Sequence, residues 1–160
     1  MASPRAEKTV TNLVLTAEPG HFNLSPHLFH LYACQYLHCE NTFQSEASYS
    51  PVPYFLLCRA IELEFKAQHL ELKSRDQVKK EYGHDLKKSY DQLPTQNQIL
   101  DAAQYEVLVH ASKIYDKPKG FEYVSVGDAV TALQDFPDLG VLRGIANKVI
   151  ESSPLEGSEP

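Results

Sequence analysis

Apolar residues recur along this chain at helical rather than alternating spacing. The first long run opens at Ser25-Pro26, a capping residue followed by a first-turn proline, and predicts a helix to about Phe43. Ser50-Pro51 repeats that start signal and predicts a second helix through about Leu72. On a 100° wheel this second helix places Val52, Leu56, Ala60, Leu63, Ala67 and Leu70 on one face and Tyr54, Cys58, Ile61, Phe65 and Leu72 on the opposite one. A helix apolar on two sides belongs at the centre of a bundle. Between its faces runs a polar stripe of Arg59, Glu62, Lys66, His69 and Lys73, in which Glu62 and Lys66 form a favourable i,i+4 pair.

Further along, Ser74 to Tyr82 predicts a short helix broken by Gly83, after which Asp85 sits in the first turn of a helix ending near Pro94. His84 is thereby held at a helix junction. Thr95 reads as the cap of a helix over 96–115, with Leu100, Ala103, Val107, Ala111 and Ile114 as its core face. Pro118 and Gly120 end it, and Phe121 to Val126 reads as an extended segment across the bundle surface. Gly127-Asp128 opens a short helix to about Gln134. Beyond Pro137, Leu139, Leu142, Ile145, Ala146 and Val149 recur at helical spacing as a last amphipathic helix.

The fold expected is therefore all-α: a bundle of about five to six helices with a short extended crossover near residues 121–126. Residues 1–24 form an N-terminal arm, 25–150 a single bundle domain, and the Ser/Glu/Gly/Pro-rich stretch 151–160 an expected disordered tail.

Composition narrows the function classes. A chain of 160 residues that is 42% hydrophobic can bury one core. Its formal charge of −6 provides no overall positive field for phosphate backbones, so any nucleic-acid contact needs a local basic patch. Three cysteines, Cys34, Cys39 and Cys58, with no CxxC fit a reduced cytoplasmic compartment better than a disulfide framework. No apolar run reaches the length of a signal peptide core or a membrane span, so no membrane association is expected.

Candidate chemistry concentrates in two places. Arg59, Glu62, Lys66, His69, His84 and Asp85 form a candidate polar cluster or ligand-binding set, with His84 expected to meet Glu62. As a structural network these residues would tie two helices together. As a working site, Arg59 and the histidines could supply the base, acid and cation that RNA cleavage to a cyclic phosphate requires. On the first helix, His27, His30, Cys34, His38 and Asn41 share one stripe. His30, Cys34 and His38 span about 12 Å along the axis, too far for one zinc ion, so neither metal nor other cofactor is expected. His110 reads as a hydrogen-bonded core histidine. Gly140 and Gly144 could admit a close helix approach. No phosphate-loop glycine pattern and no Ser-His-Asp elbow occurs.

The run Cys58-Arg59-Ala60-Ile61-Glu62-Leu63-Glu64-Phe65-Lys66-Ala67, followed by Gly83-His84-Asp85-Leu86-Lys87-Lys88, resembles the HEPN-like helical domains over roughly Ser25 to Tyr115. That resemblance implies a homodimer and a protein partner such as a nucleotidyltransferase in a toxin–antitoxin pair, with RNA or a nucleotide as ligand. The family's ribonucleases carry an Arg followed four to six residues later by His. Here Arg59 lies ten before His69 and Arg75 nine before His84, no Arg precedes His110 in its helix, and no His follows Arg143. The expectation is accordingly a non-enzymatic domain for self-association and partner or nucleotide binding, the alternative being a divergent ribonuclease or toxin–antitoxin component acting on RNA.

Overall fold

The structure is a computed structural model that describes residues 25–46, 50–117, 120–121 and 135–155. Among these residues it is all-helical, with α1 (Ser25–Thr42), α2 (Val52–Leu70), α3 (Arg75–Tyr82), α4 (Leu86–Asp91), α5 (Ala102–Tyr115) and α6 (Leu139–Glu151). No strand occurs among the described residues. The N-terminal arm, the extended crossover beyond Phe121 and the helix expected near 127–134 lie outside them, as do residues 156–160.

The two-sided apolar pattern of α2 has the expected consequence: α2 packs against all five other helices, most extensively along α1. Leu57, Ala60, Ile61, Leu63, Phe65, Ala67 and Leu70 are buried around its whole circumference, each contributing about 1.5–3 kcal/mol for its larger side chains. Leu108, Leu142, Ile145 and Phe121 close the same core from α5, α6 and the turn after α5. Phe121 stacks on Tyr54 with ring centroids 5.5 Å apart and meets Phe136 edge-on at 5.1 Å. The extreme positions of the predicted faces do not share this burial. Val52, the first residue of α2, is exposed, and Leu72 lies beyond the helix and is 81% exposed.

Local sequence explains most of the boundaries. Ser74 and Gln77 form a reciprocal capping box that starts α3, and Gly83, at φ 53°, ends it in a conformation that L side chains rarely adopt. Asp85 accepts from the Lys88 amide at 2.9 Å and starts α4. Asp138 caps α6 in the same way through the Val141 amide. The chain continues past α6 with Ser153 and Leu155 buried.

The fifth helix differs from its predicted form. Thr95 to Asn97 make only one 3-10 turn, and α5 begins at Ala102, where Asp101 and Gln104 form a second capping box. Of the expected core face, Ala111 is buried and Leu100, Val107 and Ile114 pack on the core partly buried, whereas Ala103 is exposed; Leu108, Ser112 and Tyr115 complete the buried face. His110 is exposed as well, not a core histidine. A Cβ at Gly144 would meet nothing within 4 Å and one at Gly140 only the Asp138 carboxylate, so among the described residues no helix uses that pair for close approach.

Candidate functional site

Burying polar residues on a central helix requires partners, because an unpaired buried charge is far costlier than an exposed one. Glu62 meets that requirement in full. Its Oε2 accepts from Tyr115 Oη at 2.5 Å, Arg59 Nη1 at 3.1 Å and His84 Nδ1 at 3.2 Å, and its Oε1 accepts from Lys66 Nζ. The carboxylate is almost wholly buried, while three of its partners reach outward: the side chain of Lys66 is 12% exposed, Arg59 30% and His84 61%. Helical spacing puts Arg59 and Lys66 one turn either side of Glu62, and the Gly83 break delivers His84 from the α3–α4 junction.

Electrostatics follows from this arrangement. Burial pushes the Glu62 carboxyl up, but the Lys66 ammonium, the hydrogen bonds from Lys66 and Tyr115, and the Arg59 guanidinium outweigh it, so the group sits below the ordinary carboxylate range. Burial and then the Glu62 charge push the Tyr115 phenol far up, keeping it a neutral donor. The same two causes push the buried Cys58 thiol up.

Arg59, Lys66 and His84 turn their outer sides to a groove of about 680 Å³ between α2 and α3, open to solvent. Its floor is apolar, made by Phe29, Leu63, Leu70 and Val78, and α3 adds Arg75 and Lys79 at the rim. Asp76 is the one carboxylate among the lining residues, with Glu62 behind the wall. Neither Arg75 nor Lys79 has an ion-pair partner among the described residues. A chain of net charge −6 thus gathers four basic side chains around one groove, Arg59 and Lys66 paired with the buried Glu62 and Arg75 and Lys79 unpaired among the described residues, which leaves the groove locally positive.

Two residues of the candidate set sit elsewhere. His69 is buried beneath α4, where its Nε2–H donates to the Ser89 carbonyl at 2.9 Å and its ring stacks on Tyr82. Burial holds it below the ordinary imidazole range, hence neutral. Asp85 serves as the α4 cap and accepts from Ser112 Oγ at 3.2 Å. Lys73, the last member of the stripe, pairs with Glu81 rather than with the cluster.

Several partners were not singled out from the sequence. Tyr115 falls in the last turn of α5, on the buried side with Leu108, Ala111 and Ser112. Glu64, fully buried, pairs with His30 Nδ1 at 2.7 Å. Glu40, the single acidic residue of α1, is buried beneath a two-pronged contact from Arg143. On α1, His27, His38 and Asn41 are exposed, and no group of three potential ligands surrounds a metal position among the described residues. No described helix is long and apolar enough to cross a membrane.

No protein-family model, no curated protein and no solved structure matches this chain.

Proposed function

We propose that this chain is a non-enzymatic helical binding domain of the HEPN-like kind, acting in the cytoplasm as a homodimer, whose α2–α3 groove takes a nucleotide. One observation carries the ligand assignment: Arg59, Lys66, Arg75 and Lys79 border a groove with an apolar floor and a single lining carboxylate. Cations at the rim suit a phosphate chain, and Phe29, Leu63, Leu70 and Val78 give the groove an apolar lining on which a base can rest. The N-terminal end of α3, at Ser74 to Asp76, adds a dipole of the same sign. Self-association is supported by Leu28, Leu31 and Tyr32, exposed on α1, a helix whose only charged residue is the buried Glu40. In this reading a nucleotidyltransferase is the natural protein partner, its nucleotide being the shared ligand.

The non-enzymatic part rests on how the polar groups are committed. Arg59 and His84 share one acceptor oxygen of Glu62, and His69, the other histidine of the set, spends its Nε2 proton on a backbone carbonyl. That leaves one exposed imidazole where general acid–base cleavage of RNA needs two proton-transferring groups. The convergence of Arg59 and His84 on the groove wall is nevertheless what a divergent ribonuclease would use, and it keeps that second reading specific.

Thermal-shift measurements separate the two. A nucleoside triphosphate at about a hundred times its dissociation constant should add about 2.7 kcal/mol to stability, and RNA should stay intact in the same samples. Stabilisation absent for every nucleotide would remove the binding reading. RNA cleavage lost on both Arg59→Ala and His84→Ala, with folding retained, would install the ribonuclease.

A further inference from the structure

Outside the groove, α1 and α2 bring a nucleophile, a base and a carboxylate into line. Cys34 Sγ lies 3.7 Å from His30 Nε2, one helical turn away, and His30 Nδ1 lies 2.7 Å from Glu64 Oε2. Glu64 is fully buried, and its other oxygen accepts from Gln68 Nε2 at 3.1 Å, which in turn is held by Asn97 Nδ2 at 3.0 Å. With Gln68 on Oε1, the imidazole is the hydrogen-bond partner of Oε2 among the described residues. The Nδ1 proton is therefore fixed toward Glu64, and Nε2 is left facing the thiol, the logic by which a carboxylate and a histidine activate a nucleophile. Cys34 is partly exposed, Cys39 is exposed with no such partner among the described residues, and Cys58 is buried with its thiol held protonated.

The geometry points to Cys34 as a peroxide-reactive thiol, with His30 moving its proton and Glu64 positioning His30. The substrate class is chosen by the leaving group. A hydroperoxide needs a thiolate to attack one oxygen and an acid to protonate the other as it departs, and the same imidazole can do both. The Cys34 proton passes to His30 Nε2. The sulfur then attacks the terminal peroxide oxygen, the S–O bond forms as the O–O bond breaks, and the departing hydroxide or alkoxide takes the proton back from Nε2. Sulfur is oxidised by two electrons to a sulfenic acid, and the peroxide is reduced to water or an alcohol. Cys39 cannot resolve this product in the intact helix, since five residues raise it about 7.5 Å along the axis, beyond disulfide reach. The sulfenic acid is left for an external thiol.

The test treats the intact chain at pH 7 with limiting hydrogen peroxide in the presence of dimedone, and fragment-ion mass spectrometry assigns the label among the three cysteines. Cys34 should be labelled at least about tenfold faster than Cys39, through thiolate formation and acid assistance together. With iodoacetamide, whose iodide leaves without a proton, the preference should fall to about threefold or less. A normal thiol is already a few per cent ionised, and the gain in thiolate is largely offset by its lower nucleophilicity. His30→Gln should remove the peroxide preference. Glu64→Gln should reduce it, while at about pH 10, where an ordinary thiol is ionised without help, both variants should react with iodoacetamide as the native chain does. Equal labelling of Cys34 and Cys39 by peroxide in the native chain, which requires no variant to fold, would overturn the assignment. So would an unchanged Cys34 rate in folded His30→Gln.

Discussion

Replacing Glu62 by Gln keeps the shape of the side chain and removes the charge around which Lys66, Arg59, Tyr115 and His84 are arranged. Breaking a fully buried ion pair by deleting one partner costs about 3–5 kcal/mol. Here Lys66 and Arg59 keep an outer side at the groove, where water offers compensation, and the amide oxygen still accepts from Tyr115, so about 2–3 kcal/mol is expected at pH 7. For a domain of this size that corresponds to a fall in Tm of roughly 5–10 °C. The dependence on pH distinguishes lost charge from lost packing. The Glu62 carboxyl is held below its unfolded value, so its contribution is fully present above that unfolded value, near 4.5, and disappears as the pH falls through the lower folded value. Urea unfolding followed by circular dichroism should show the gap between native and Glu62→Gln chains at pH 7 closing as the pH drops below about 4. A gap under about 1 kcal/mol at pH 7, or one of constant size down to pH 3, would refute the hub role of Glu62.

Arg143→Ala should cost about 2–3 kcal/mol, because it strands the buried Glu40 carboxylate; chemical denaturation reads this, and a neutral outcome would mean that the pair is not formed. Ile145→Ala, at a fully buried position of α6, should cost about 2–5 kcal/mol by the same assay. Sedimentation equilibrium should return twice the 18.0 kDa chain mass, and Leu31→Glu on the exposed face of α1 should shift it toward monomer. A native chain that sediments as a monomer at tens of micromolar would count against self-association.

The architecture was legible where the sequence carried a double signal. Two-sided apolarity on α2 announced a central helix, Gly83 and Asp85 marked the α3–α4 break, and the Glu62–Lys66 spacing with that break located His84 against Glu62. Legibility failed where one signal hid another. Thr95 after Pro94 resembles a cap, yet the stronger Asp101–Gln104 box lies six residues on; separately, the apolar positions Leu100, Val107 and Ile114 lie beside the fully buried face, which is completed by Ser112 and by Tyr115, whose hydroxyl serves Glu62, while His110 is exposed. His69 lies on the same stripe as Arg59 and Lys66 in a helical projection, but α4 covers only the lower end of α2 and draws that ring under Ser89. Glu64 and Glu40 show the general limit. A carboxylate on a buried face is unreadable until the distant partner is known, and His30 and Arg143 come from other helices, in one case 103 residues away.

The groove's charge makes the central claim directly measurable. Isothermal titration of the purified chain with ATP at low ionic strength should give saturable binding near one nucleotide per chain, and Lys79→Glu, at the exposed rim where folding is least affected, should weaken it at least about tenfold by removing one charge-assisted contact and adding a repulsive one. Absence of saturable binding by the native chain, or an affinity that Lys79→Glu leaves unchanged, would contradict the assignment of the α2–α3 groove as a nucleotide site.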